Sequence, residues 1–75
     1  MSTIDRLDTL YNNGVLTDLI NKGLISKHVE SWRKIYHAYI NELVNEESKL
    51  QAMENVAYDF KISVDMVRYI RKKLE

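Results

Sequence analysis

An apolar stripe with helical spacing runs through the middle of this 75-residue chain and constrains its fold more than any other feature. Between positions 29 and 44, apolar residues recur every three or four positions, as they do on the buried face of an α-helix. The stripe consists of Val29, Trp32, Ile35, Tyr36, Tyr39, Ile40, Leu43 and Val44. We predict from it a long central helix that ends at about Asn45. Its aromatic residues are interpreted as core, with stacking on nucleobases as the alternative.

Four shorter segments have similar spacing, so we predict an all-α fold, a small bundle of about five helices in one domain, residues 1–75. The first two helices are expected at residues 4–11 and 15–22. Asn12-Asn13-Gly14 and Gly23 would end them, because these residues tolerate positive φ. Serine or threonine N-caps are predicted at Ser2 or Thr3, Ser26, Ser48 and Ser63.

Specific contacts are predicted at two helix ends and in one connection. With Gly23 in the left-handed position, Leu24 would pack back on Leu19 as in a Schellman motif. Gln51 follows Ser48 by three residues, the spacing of a capping box with reciprocal side-chain to backbone bonds. Asn45-Glu46-Glu47 is predicted to be a short acidic link.

The remaining helices divide into predicted inner and outer faces. The predicted inner residues are Ile4, Leu7, Leu10, Tyr11, Val15, Leu16, Leu19, Ile20, Leu50, Met53, Val56, Ala57 and Phe60. The predicted outer residues of the fourth helix are Glu54, Asn55, Tyr58 and Asp59. On the central helix Arg33, Lys34, His37 and Asn41 are expected to form a solvated face, or alternatively a flank that touches phosphates.

Composition argues against catalysis and against a metal site. The chain has no cysteine and two histidines, His28 and His37, which lie beside no nucleophile or acid motif. No Gly-rich phosphate loop occurs, so we predict no enzymatic activity, cofactor or small-molecule substrate. The polar N-terminus and the lack of a long apolar run favour a cytoplasmic location without membrane contact. Leu74 and Glu75 resemble residues that a cloning vector leaves, so Glu75 is assigned no role.

A charge asymmetry is hidden by the net charge of zero. Residues 1–60 contain six Lys and Arg against nine Asp and Glu, whereas residues 61–75 contain five against two. The two parts therefore have formal charges of −3 and +3. This difference favours a partner at the C-terminal end.

The last third, residues 48–74, has the spacing of two helices joined by a tight turn. Such a unit needs a small residue facing the second helix, an apolar residue in the turn and a narrow buried stripe. Ala57, Ile62 and the pair Val67 and Ile70 meet these needs. The stretch AMENVAYDFKISVDMVRYIRKKL resembles the helix-turn-helix of bacterial and phage DNA-binding proteins, including the promoter-reading end of sigma factors. It departs at Lys61, where glycine is common and positive φ is usual.

The resemblance implies double-stranded DNA as the partner, read in the major groove by the last helix. The implied base-contacting residues are Ser63, Val64, Asp65, Arg68 and Tyr69. Arg68 would bind guanine, Val64 would touch a thymine methyl group, and Asp65 would accept from cytosine or orient Arg68. The implied phosphate-contacting residues are Gln51, Lys61, Arg71, Lys72 and Lys73. With Val67, Ile70 and Leu74 inward at 100° per residue, Asp65, Arg68, Tyr69 and Lys72 share the outer arc.

The predicted role is that of a transcription regulator or an accessory factor of the phage or mobile-element type. Because one small module makes few contacts, we expect a homodimer or a larger protein assembly, with the N-terminal helices as the partner surface. The alternative is a helical protein–protein interaction module without nucleic-acid binding. For that alternative, Arg71, Lys72 and Lys73 would only complement the helix dipole.

Overall fold

A computed structural model describes residues 2–45 and 48–75 of the chain. These residues form five α-helices and no strand: α1 (Thr3–Asn12), α2 (Val15–Asn21), α3 (His28–Asn45), α4 (Lys49–Phe60) and α5 (Val64–Leu74). The predicted all-α class is therefore confirmed. The acidic link predicted at Glu46 and Glu47 lies outside the described residues. None of the five helices is both long enough and apolar enough to cross a bilayer.

Serine hydroxyls accept backbone N–H groups at the starts of four helices, and at α3 the Ser26 hydroxyl accepts from the N–H of His28 at 3.2 Å. Ser2 and Asp5 form a capping box on α1, in which each side chain accepts from the other residue's backbone N–H. The Ser63 hydroxyl accepts from the backbone N–H of Met66 at 3.1 Å, as predicted. Ser48 likewise accepts from the N–H of Gln51 at 3.3 Å. The reciprocal half of that predicted capping box is not formed among the described residues, because Gln51 turns along α4 and donates to Asn55.

Two glycines end the N-terminal helices in the left-handed conformation. Gly14 has φ of 77° and Gly23 has φ of 75°, in agreement with the sequence prediction. The backbone N–H of Leu24 donates to Leu19 O at 3.0 Å, and that of Gly23 donates to Ile20 O, which completes the Schellman hydrogen bonds. The Leu24 side chain is nevertheless 71% exposed, so its predicted burial against Leu19 is wrong.

The core lies between α3, α4 and α5, with α1 packed on α3 and α5 and with α2 packed on α1. Tyr39 of α3, Val56 of α4 and Ile70 of α5 are each at most 2% exposed at its centre. Ala52 is completely buried although the sequence analysis did not place it on the inner face. Burial removes apolar surface from water and is the main source of stability for a domain of this size.

Several residues predicted to be inward are exposed instead. They are Tyr11, Val15, Ile40, Val44, Leu50 and Phe60. On α3, Ile40 and Val44 lie at one edge of the stripe, because successive apolar positions rotate around a 3.6-residue helix. On α4, Leu50 lies in the first turn and Phe60 is the last residue, where neighbouring helices cover less of the surface.

A three-residue cluster ties α1 to α3. The Arg33 Nη1 atom donates to Asp8 Oδ1 at 3.2 Å, and His37 Nε2 lies 2.9 Å from the same oxygen. The Arg33 guanidinium carbon also lies 3.8 Å from the centre of the Tyr11 ring. The predicted solvated or phosphate-touching flank is therefore wrong for Arg33, whose side chain is 14% exposed against Asp8 of α1, whereas the His37 side chain stays 44% exposed beside the same carboxylate. Lys34 and Asn41 remain exposed.

The same cluster changes the acidity of Asp8. Burial alone would raise the pKa of this carboxyl group, but the bonds from His37 and Arg33 outweigh burial, so its pKa lies below the ordinary value. A depressed carboxyl pKa stabilises the fold above the unfolded-state pKa of about 4. This contribution is lost as the pH falls through the folded-state pKa, so acid loosens the tie between α1 and α3.

The turn between α4 and α5 contains the sole positive φ of a non-glycine residue among the described positions. Lys61 has φ of 58° and ψ of 43° and ends α4 in the left-handed region. The backbone N–H of Ile62 donates to Ala57 O at 3.0 Å, and that of Lys61 donates to Tyr58 O. The turn therefore has the geometry that glycine would adopt without strain.

Replacing Lys61 with glycine should stabilise the protein by about 1 kcal/mol, because glycine has no Cβ to strain the left-handed backbone. The midpoint of urea unfolding, followed by circular dichroism, measures this gain. Lys61→Ala is the matched control, because it removes the amine and keeps the Cβ. Equal midpoints for the glycine and alanine variants would contradict the strain assigned to this residue.

Candidate nucleic-acid interface

The unit formed by α4, the turn at residues 61–63 and α5 is held together by apolar contacts at the turn. Ala57 near the end of α4 is 6% exposed, and Ile62 in the turn packs against the core. Val67, Ile70 and Leu74 are each at most 3% exposed and form the inner stripe of α5, as predicted. The orientation of α5 is thus fixed by its buried side.

The outer side of α5 places four of the predicted contact residues together. Asp65, Arg68, Tyr69 and Lys72 are all exposed, and they occupy the arc opposite the buried stripe. Lys73 is exposed beside this arc. We call Asp65, Arg68, Tyr69, Lys72 and Lys73 the α5 outer face. It combines cationic, carboxylate and phenol groups on a single rigid element.

An ion pair orients Arg68 on this face. The Arg68 Nη1 atom donates to Asp65 Oδ1 at 3.0 Å, one helical turn earlier. The side chains of Arg68 and Asp65 are 44% and 91% exposed. An exposed pair of this kind contributes less than about 1 kcal/mol. The guanidinium is therefore positioned by Asp65 but is held only weakly, so a competing acceptor can replace the carboxylate.

Tyr69 is held from the side by an aromatic residue of α3. The Trp32 and Tyr69 ring centres lie 5.6 Å apart with the rings nearly perpendicular. The Lys73 Nζ atom lies 5.5 Å from the centre of the same tyrosine ring. Tyr69 is 48% exposed, so its ring is partly packed and partly open to solvent. Trp32, interpreted from the sequence as core, is half-buried at the edge of the α5 outer face.

Arg71 differs from the neighbouring basic residues. Its side chain is 23% exposed, and its Nη1 atom donates to Glu75 Oε2 at 3.2 Å. Its Nε atom is buried without a hydrogen-bond partner among the described residues. This placement follows from its position near the inner stripe, which turns the guanidinium along the protein surface. Glu75, to which the sequence analysis assigned no role, is the partner of Arg71.

The remaining predicted contact residues lie around the turn and at the start of α4. Ser63 is exposed, but its hydroxyl oxygen already caps α5. Val64 packs partly against the core, so the expected open methyl groups are not fully available. Lys61 is exposed at the turn.

Gln51, at the start of α4, is exposed and its side-chain amide nitrogen donates to Asn55 at 2.9 Å. The Asn55 amide nitrogen in turn donates to Glu42 of α3. Asn55, predicted to be on the outer face, is therefore partly buried.

No group of three or more metal-ligating side chains occurs among residues 2–45 and 48–75. The described surface also contains no pocket. The concentrated polar feature is a convex helical face, which suits a large partner with a groove or an extended surface.

Sequence reasoning did not identify Trp32 as a neighbour of the candidate site. Its spacing along α3 placed it correctly on the same side as Tyr36 and Tyr39. Its contact with Tyr69 depends on how α3 packs on α5, and this packing has no short sequence motif.

Comparison of the chain with protein-family models, curated proteins and solved structures finds no match.

Proposed function

We propose that this protein binds double-stranded DNA in a sequence-specific manner through the α4–turn–α5 unit, acting as a helix-turn-helix module. The observation that carries the proposal is the α5 outer face, where Asp65, Arg68, Tyr69 and Lys72 are exposed opposite a fully buried stripe. A helix of this kind fits the major groove, whose width accommodates an α-helix with its side chains.

The energetics of Arg68 favour exchange of its protein partner for a base. A bidentate contact from arginine to guanine contributes about 1–3 kcal/mol of discrimination against other bases. The exposed ion pair with Asp65 contributes less than about 1 kcal/mol. Because this ion pair is weak, a guanine can replace the carboxylate as the acceptor, and Asp65 keeps the side chain near its binding position before DNA arrives.

Electrostatic attraction to the DNA backbone supports the same role. Lys61, Lys72 and Lys73 are exposed at the turn and on the last turns of α5. Each phosphate that they neutralise releases condensed counterions, which is the main source of sequence-independent affinity. Arg71 has a smaller part than these lysines, because its side chain is only 23% exposed and its Nη1 atom donates to Glu75.

The biological role that fits such a unit is regulation of transcription or assistance to a larger DNA-bound complex, as in phage and mobile-element systems. One module of 75 residues makes few base contacts, and two half-sites increase specificity. The protein therefore acts as a homodimer or beside another DNA-bound protein, in the cytoplasm where its DNA lies.

Selection of binding sites from random duplex DNA tests this function. The wild-type chain should enrich a short motif containing guanine, and Arg68→Ala should relax the preference at one position, because it removes the base-reading group. Lys22→Ala is the control, because Lys22 is an exposed lysine that follows α2 and pairs with Asp18. No enriched motif, or the same motif for Arg68→Ala, would refute the assigned reading residue.

A second candidate function is a helical protein–protein interaction module. It is favoured by exposed apolar side chains on α3 and α4, namely Ile40, Val44 and Leu50, of which Val44 is 82% exposed. Apolar side chains of this kind can enter a partner's groove. Binding through them would change little with salt, whereas DNA binding weakens strongly as salt rises.

A further inference from the structure

The contact between α3 and the α5 outer face suggests a residue that prepares this face for its ligand. The rings of Trp32 and Tyr69 meet edge to face at 5.6 Å, a favoured geometry for two aromatic side chains. The Lys73 ammonium lies on the same tyrosine ring. Three side chains from two helices therefore form a continuous row beside Arg68 and Lys72.

We propose that Trp32 is a positioning residue for DNA binding, which holds Tyr69, and through it Lys73, in the arrangement that contacts the duplex. This inference rests on the proposed function and adds a residue of α3 to it. Trp32 acts through Tyr69 and needs no contact with DNA itself. Its own burial is incomplete, which distinguishes it from the fully buried Tyr39 on the same helix.

The physical reason lies in the entropy of side-chain ordering. A free tyrosine on a helix surface must be immobilised when it binds, at a cost of about 0.5–1.5 kcal/mol for a mobile side chain. The ring of Tyr69 is already restricted on one side by Trp32. The half of its surface that remains exposed is thereby presented in a defined orientation. Pre-ordering of this kind increases affinity without an additional contact.

A double-mutant cycle on DNA affinity tests the proposal. Trp32→Leu keeps an apolar side chain and removes the ring, and Tyr69→Leu removes the residue that Trp32 positions. Each single variant should lower the affinity roughly 2- to 10-fold, the range expected for loss of an aromatic pair. The double variant should bind no more weakly than Tyr69→Leu alone, because Trp32 acts only through Tyr69. Trp32→Phe should restore most of the affinity.

A stability control separates positioning from folding. Leu7→Ala removes a partly buried side chain of α1 that packs against the core and should leave DNA affinity unchanged when the chain is folded. Circular dichroism must show that every variant is folded at the assay temperature. The variants are compared by fluorescence anisotropy on one labelled duplex selected by the wild-type chain.

The outcomes that would overturn the inference distinguish it from the proposed function. Absence of wild-type binding at low salt would refute the proposed function and this inference together. Wild-type binding with undiminished affinity of folded Trp32→Leu, or additive losses in the double variant, would refute the positioning role alone.

Discussion

Ile70→Ala should lower the free energy of unfolding by about 2–5 kcal/mol, the range measured for truncation of buried aliphatic residues. Ile70 is 1% exposed and lies in the buried stripe of α5. Its removal leaves a cavity between α5 and the helices that support it. A domain of this size has only about 3–5 kcal/mol of net stability, so the variant should be largely unfolded at 37 °C.

The matched control for Ile70 is Met66, an exposed apolar residue of the same helix. Met66 is 43% exposed, and Met66→Ala should change stability by no more than about 0.5 kcal/mol. Thermal and urea unfolding followed by circular dichroism compare the two variants. Similar midpoints for both would mean that α5 does not bury this stripe, and the orientation of its outer face would then be wrong.

The affinity for duplex DNA should fall about 40-fold between 50 and 200 mM monovalent salt, by the counterion-release relation for about three phosphate contacts. The exposed lysines at the turn and on α5 can make these contacts: Lys61, Lys72 and Lys73. Plotting the logarithm of the affinity against the logarithm of the salt concentration gives the slope, which is proportional to the number of phosphates neutralised.

The slope also separates the role of individual residues. Lys72→Ala should reduce its magnitude by about 1, because one phosphate contact is lost. Lys22→Ala should leave the slope unchanged, since Lys22 lies at the end of α2, outside the α4–turn–α5 unit, and pairs with Asp18. A slope near zero would assign the interaction to apolar contacts and would favour the protein–protein module.

Local sequence patterns were sufficient to predict the five helices and most of their ends. Ser63 before Asp65, and Gly23 after α2, specify a cap and a left-handed stop through interactions within a few residues. The stripe of Val67, Ile70 and Leu74 was likewise predictable, because three helical turns with one apolar side have a single favourable orientation. These features depend on neighbours along the chain and need no knowledge of the fold.

Contacts between helices could not be predicted from the same patterns. Arg33 and His37 looked like a solvated face, because nothing in the spacing of α3 shows that Asp8 of α1 will lie over them. Val44 has the spacing of a core residue, yet no described helix covers the edge of α3 where it lies. Periodicity identifies the side of a helix that a residue occupies but not the extent of the surface that its neighbours cover.

In the candidate site, too, some features follow from local sequence patterns and others depend on contacts between helices. The common arc of Arg68 and Lys72 followed from helical geometry, and the structure places both side chains on the exposed side. Pairing of Arg71 with Glu75, and of Trp32 with Tyr69, depends on side-chain orientations and on packing between α3 and α5. The α5 outer face therefore contains fewer cationic side chains than the basic sequence suggested, because Arg71 is not part of it. It also packs against the Trp32 ring, a contact that the sequence did not predict.

The most direct test of DNA binding through α5 is a fluorescence anisotropy titration of a labelled duplex with the 75-residue chain at 50 mM salt. We predict saturable binding by the wild-type protein, and clearly weaker binding by the folded variant that combines Arg68→Ala with Lys72→Ala. No binding by the wild-type protein at this salt concentration, or equal binding by the double variant, would contradict the account.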